Sequence, residues 1–126
     1  MAMHNEQLKT LLMPDELSMS VVISDPSLPD NPMIYVSPEF ELQTGYSFAE
    51  AVGQNCRFLQ GSETNPHAIE AIRQGLRAKT TFTIDILNYR KDGKKFLNRL
   101  RIRPIFGQDG SLLYFAGAQN PVEEVI

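Results

Sequence analysis

The last third of the chain alternates with a period of two, and that alternation restricts the fold more than any other feature. Phe82, Ile84, Ile86 and Asn88 fall on one face of a predicted strand. The turn signal Lys91-Asp92-Gly93-Lys94 follows. Phe96, Asn98, Leu100 and Ile102 then share a face, with Arg99, Arg101 and Arg103 on the other. After Gln108-Asp109-Gly110, a third run puts Leu113, Phe115, Gly117 and Gln119 on one face. Strands joined by turns this short pair antiparallel, because a parallel pair needs a crossover of about a dozen residues or more.

The preceding segments are shorter and mostly helical. His4 to Met13 carries Leu8, Leu11 and Leu12 in a helix-like stripe that Pro14 stops. Ser18 to Ser24 reads as a strand, DPSLPDNP as a turn, and Met33 to Ser37 as a second short strand. Ser37-Pro38-Glu39 opens a helix that Gly45 closes. Short helical turns are expected at Phe48–Val52 and Asn55–Gln60, and Asn65-Pro66 opens a longer helix with Ala68, Ile69, Ile72 and Leu76 on one face. The expectation is an α+β domain, with helices over one face of an antiparallel sheet. It divides into an N-terminal helical cap over residues 1–17, a core over 18–120, and a C-terminal helix starting within 121–126, where Asn120-Pro121 and two glutamates look like a helix start.

Composition excludes several classes. No apolar run nears the roughly 20 residues needed to span a bilayer, so no membrane partner is expected. A net charge of −3 gives no attraction to nucleic acid. One cysteine forms no internal disulfide and has no CxxC partner for a metal, and a reduced thiol suits the cytoplasm.

Three carboxamides stand out. Asn88, Asn98 and Gln119 continue the apolar faces of their strands, and a buried amide without partners costs about 1–3 kcal/mol. Either they lie near the rim and bond water and loops, or they share a ligand whose edge alternates donors and acceptors, as a pyrimidine-like ring does. Arg57 and Arg73 are candidates for a phosphate at the other end, and solvated helix charges are the alternative. Arg77 reads as solvated and His67 as a surface residue.

The lone cysteine sits in Gly53–Gly61, GQNCRFLQG, between hydrogen-bonding Asn55, Arg57 and Gln60. This stretch resembles the GxNCRFLQ signature of LOV domains, the flavin-binding, blue-light-sensing branch of the PAS fold. The resemblance extends from Val21 to Gln119 through NPMIYVSPEFELQTGY, ILNYRKDGKKFLN and YFAGAQNP. The spacings from Cys56 to Arg73, Asn88, Asn98 and Gln119 match the family without insertion or deletion.

The resemblance implies a PAS fold: five antiparallel strands, with short helices covering one face around a non-covalently held flavin. It implies that Cys56 is the photoactive thiol, bonding reversibly to ring carbon C4a in blue light while N5 gains a proton. Arg57 and Arg73 would hold the phosphate, Asn55 and Gln60 the ribityl or ring side, and Asn88 and Asn98 the pyrimidine edge. Gln119 would contact O4 and N5 and reorient when N5 is protonated. Val22, Ser24, Leu59, Ile69, Leu100, Ile102, Phe115 and Gly117 match pocket positions. Met33 would pack near flavin and sulfur, where the family usually has Ile or Leu, and its mobile chain points to fast dark recovery. Ser24 stands where threonine is common and Leu100 where phenylalanine is. FMN is expected rather than FAD or riboflavin. The functional expectation is a photosensory module rather than an enzyme, with two alternatives: the sensor of a larger protein such as a histidine kinase, or a flavin-free PAS dimerisation module. A homodimer would form through the N-terminal helix or the sheet face.

Overall fold

The computed structural model describes residues 4–125, with side chains as far as residue 122. Its core is a five-stranded sheet in the order β2-β1-β5-β4-β3, every neighbouring pair antiparallel. The strands are β1 (Ser20–Ser24), β2 (Met33–Val36), β3 (Phe82–Tyr89), β4 (Lys95–Phe106) and β5 (Leu112–Val125). Tight turns join β3 to β4 and β4 to β5, and Gly93 and Gly110 in them take φ of 88° and 84°, which an L side chain rarely adopts. β5 therefore lies in the middle, with β1 on its free edge, so Ser20 faces Gln119 and Ser24 faces Phe115.

The helices are α1 (Asn5–Lys9), α2 (Pro38–Thr44), α3 (Phe48–Ala51) and α4 (Pro66–Ala78). Ser37 caps α2 by accepting from the Phe40 N–H, and its hydroxyl also accepts from Val21 N–H and donates to the Met19 carbonyl. The helix start is thus anchored to β1. Gly45 ends α2 at φ 80°. The alternation of each strand divides the core between the two sheet faces. Val22, Met33, Val36, Leu100, Ile102 and Phe115 lie on the face that α2, α3 and α4 cover. Val21, Ile23, Tyr35, Ile105 and Ala116 lie on the opposite face, under Leu8 and Leu12.

Several boundaries differ from the sequence reading. α1 stops at Lys9 instead of continuing to Met13, and the chain bends through turns that bring Leu12 as well as Leu8 onto the sheet. The leucine stripe expected as a dimer contact is therefore buried within its own chain. β1 starts at Ser20, after a 3₁₀ turn at Glu16–Ser18. The C-terminal helix does not form over 121–125: β5 continues to Val125 along β4. A short isolated helix is unstable in water, whereas the N-terminal half of β4 offers a row of backbone partners. Proline 121 is accommodated at an irregular register opposite Asn98, and Asn98 Oδ1 accepts the Asn120 N–H at 3.0 Å. Leu113 also departs from expectation. A register shift between Ile105 and Phe106 leaves it exposed and packs Leu112 beside the α4 cluster. Residues 1–3 and 126, parts of the expected cap and C-terminal helix, lie outside the described residues.

One ion pair fastens the N-terminal segment to the sheet. Arg103 on β4 donates to both carboxylate oxygens of Glu16, at 3.0 and 2.6 Å, and to the Leu11 carbonyl at 2.8 Å. Glu16 is 1% exposed and also accepts the Met13 N–H. Burial pushes its carboxyl pKa up, but the bonds from Arg103 and Met13 and the charges of Arg103 and Arg101 outweigh it, so the group sits below its ordinary 4.5. Such an acid contributes stability above its unfolded pKa and loses it as pH falls through the lower native value. Glu16→Gln is expected to cost about 3 kcal/mol at neutral pH, because it leaves the partly buried Arg103 guanidinium without its counter-charge. Urea unfolding should show that cost, and should show it shrinking as the pH falls below 4.5.

Candidate functional site

Between the helices and the inner sheet face lies a cavity of about 250 Å³. One wall is built by a 3₁₀ turn at Cys56–Leu59. Asn55 caps this turn by accepting the Arg57 N–H at 2.9 Å, and its Nδ2 donates to the Asp30 carbonyl at 2.7 Å. Met33 N–H donates to the Gln54 carbonyl and Gly53 N–H to the Met33 carbonyl, both at 2.8 Å. The turn is thereby tied to β2 and to the β1–β2 loop by the three residues just before Cys56, which lines the cavity.

Cys56, Asn55, Arg57, Leu59 and Gln60 line the cavity from this turn, and α4 adds Ile69 and Arg73. The sheet supplies Val22 and Ser24 from β1, Asn88 from β3, Leu100 and Ile102 from β4, and Phe115, Gly117 and Gln119 from β5. A Cβ on Gly117 would stand 3.3 Å from Val22 and 3.5 Å from Leu100, so the bare backbone keeps the floor open where side chains converge. Met33 and Asn98, expected as ligand contacts, do not line the cavity. Met33 is fully buried against the turn, its Sδ 3.7 Å from Cys56 Sγ. Asn98 lies between the other two amides, its Nδ2 donating to Asn88 Oδ1 at 3.0 Å and to Gln119 Oε1 at 2.5 Å. Both Asn98 N–H groups are thus taken and its oxygen accepts the Asn120 N–H, so Asn98 sets the orientation of its two neighbours.

Four lining residues were not singled out as site residues. Ile72 and Leu76 share the α4 face already read as apolar, and Ile86 shares the strand face of Asn88, so parity was the available signal. Asn31 had none: it lies in the DPSLPDNP turn at φ 47°, and its Oδ1 is buried without a partner. Both arginines reach the cavity, each paired with a carboxylate. Arg57 bonds Asp30, and Arg73 bonds Glu70 at 2.6 Å. The cavity is apolar along its length, with carboxamides on the sheet side, an orphan acceptor at Asn31 and guanidinium groups at two points. That pattern suits a largely apolar ring with a hydrogen-bonding edge and a polar or anionic tail.

A PAS-domain family model matches residues 18–121. Blue-light-activated histidine kinase 1 of Erythrobacter litoralis is 44% identical over 108 residues, covering 86% of this chain and 30% of the kinase. A solved structure reporting on a flavin analogue and the light-oxygen-voltage domain mechanism shares 43% identity with a TM-score of 0.85, over 98% of this chain and 89% of that one. The LOV domain of the E. litoralis EL346 blue-light-activated histidine kinase shares 42% identity with a TM-score of 0.81, over 84% of this chain and 97% of that one. The chain thus spans under a third of the curated kinase and nearly all of the isolated LOV domain.

The thiol has an unusual acidity for a residue that touches a cavity. Burial pushes the Cys56 pKa up from 9.0 to about 12, against the opposing hydrogen bond of the Gln119 side chain. Sulfur is therefore held as S–H at neutral pH. Because the thiolate is the species that alkylates, iodoacetamide should react with native Cys56 roughly a thousandfold more slowly than with the denatured chain at pH 8. The native rate should keep rising about tenfold per pH unit past 9.0, where an ordinary thiol levels off, and a plateau there would contradict the burial.

Proposed function

The chain belongs to the PAS-domain family, in its light-oxygen-voltage branch, and on that premise we propose that it holds FMN beside Cys56 as the chromophore of a blue-light sensor. The single observation that carries this reading is Cys56 S–H facing the same cavity as Asn88 and Gln119. A bound flavin would supply blue-light absorption, an electrophilic ring carbon, C4a, for the Cys56 sulfur and a ring nitrogen, N5, for its proton, and would give both back in the dark. Cys56 brings its own proton to that step, so no external base is required. Asn88 and Gln119 hold the polar ring edge, and Asn98 fixes both amides from behind. Asn31 Oδ1, which is buried without a partner, and cavity-lining Gln60 would take hydroxyl donors of a ribityl chain. The branched side chains Val22, Leu59, Ile69, Leu100 and Ile102, with Phe115, keep water from the ring. Met33, one layer behind that wall and in contact with the sulfur, is unbranched and so fills space without fixing it, which favours rapid loss of the bond in darkness.

FMN is preferred to FAD because the loop over residues 61–65, which follows cavity-lining Gln60, is short and held down by its own bonds. Gly61 N–H donates to Thr64 Oγ1, Thr64 donates to the Leu87 carbonyl at 2.7 Å, and Glu63 N–H donates to the Tyr89 hydroxyl. An adenosine moiety would have to break this stitching. We read the chain as a sensor that transforms no outside substrate and serves a larger signalling protein, as its kinase relatives suggest. Among the described residues no helix is long and apolar enough to cross a membrane, and the single reduced cysteine favours the cytoplasm. A second copy would meet the chain on its outer sheet face, beside exposed Met13 and Leu17, since Leu8 and Leu12 are committed to its own core.

Cys56→Ala should retain FMN, because the amides and arginines supply the affinity, and should lose the reversible bleaching of the blue band. Chromatography of the released cofactor and absorption under illumination check both halves. A variant that still bleached and recovered would remove Cys56 from the reaction, and predominantly FAD in the extract would contradict the cofactor assignment.

A further inference from the structure

The arginine closest in sequence to Cys56 has its charge already answered. The Arg57 Nη2 bonds the Asp30 carboxylate, which comes from the β1–β2 loop, 27 positions away. Asp30 is held there by its own backbone. It takes φ 66° and Asn31 takes φ 47°, two consecutive left-handed residues that turn the loop toward the 3₁₀ turn. Its carbonyl accepts from Asn55 Nδ2 while its carboxylate takes Arg57, so the residues on either side of Cys56 grip one aspartate. The contact holds the carboxyl of Asp30 below its ordinary range. Arg73 is balanced likewise by Glu70, but that partner lies one turn away on the same helix and pairs with it whatever the cavity holds. The two cations at the cavity are thus matched by two carboxylates.

We propose that Asp30 is a specificity-determining residue of the flavin site, its carboxylate competing with the ligand's terminal phosphate for Arg57 and so restraining the preference for a phosphorylated flavin over riboflavin. The inference rests on the flavin reading above. A guanidinium fork satisfies one bidentate oxyanion at a time, so a phosphate must displace Asp30 or share the remaining N–H edge. In either case two anions stand near one cation, and their repulsion falls on FMN and spares riboflavin, which carries no charge there. Asp30 and Arg57 are both about half exposed, each at 58%, so the competition is screened by water and weakens with salt.

The test uses flavin-free protein titrated with FMN and, separately, with riboflavin, for the wild type and Asp30→Asn. Asparagine tolerates a left-handed backbone and keeps the carbonyl that Asn55 uses, so the loop conformation is retained. The variant should bind FMN about three- to tenfold more tightly at low ionic strength, with riboflavin affinity unchanged and the FMN gain shrinking in high salt. Unchanged or weaker FMN binding by Asp30→Asn would overturn the proposal. So would a loss for both flavins alike, which would make Asp30 a structural residue only. Wild-type protein that binds neither flavin would overturn the flavin reading itself, a result distinct from the other two.

Discussion

β5 pairs with β1 along one edge and with β4 along the other, and the site depends on that double pairing. Because successive residues of a strand point to opposite faces, pairing on both sides fixes the parity of each one. Phe115, Gly117 and Gln119 must face the cavity, while Ala116 and Ala118 must face away. A slip by one residue would bury alanines in the site and send Gln119 outward. The same pairing stacks Asn88, Asn98 and Gln119 across three adjacent strands, close enough to hydrogen-bond in a row. The buried amides are therefore satisfied by one another and still leave donor capacity for a ligand.

The row of amides also connects the site to the far side of the sheet. Gln119 bonds Asn98, and Asn98 holds the Asn120 backbone where β5 passes the irregular register at Pro121. Gln119 is thus linked through Asn98 to the backbone near the end of β5. On the opposite face the Glu16–Arg103 pair ties the N-terminal segment to β4, next to the strand that carries Gln119. The N-terminal segment is thus tied to β4, and β5 itself runs on along β4 to Val125.

What could be read from the sequence was local. Period-two alternation placed the three long strands and the faces of Asn88, Asn98 and Gln119, and caps such as Ser37-Pro38 and Asn65-Pro66 placed helix starts. What escaped depends on partners far away in the chain. Residues after Asn120 look like a helix start, but β4 is available to pair with them. Leu113 has the right parity, and a register shift turns it out. Asp30 meets Arg57, and Glu16 meets Arg103, across separations that no window of sequence reports. Within the site, Cys56 and most of the expected wall meet at one cavity. Met33 and Asn98 stand a layer back, because parity gives the face of a strand and not the depth of a side chain. The flavin and its chemistry were legible only through GQNCRFLQG and its spacings, since amides and arginines alone specify a donor pattern that many ligands share.

On the proposed function, light consumes the Cys56 S–H and darkness restores it. Infrared difference spectroscopy of the purified protein, recorded alongside visible absorption, follows the S–H stretch of the chain's only thiol. The S–H band should disappear in step with the blue absorption under illumination, and both should return together in the dark. Reversible bleaching with the S–H band unchanged would contradict that reading.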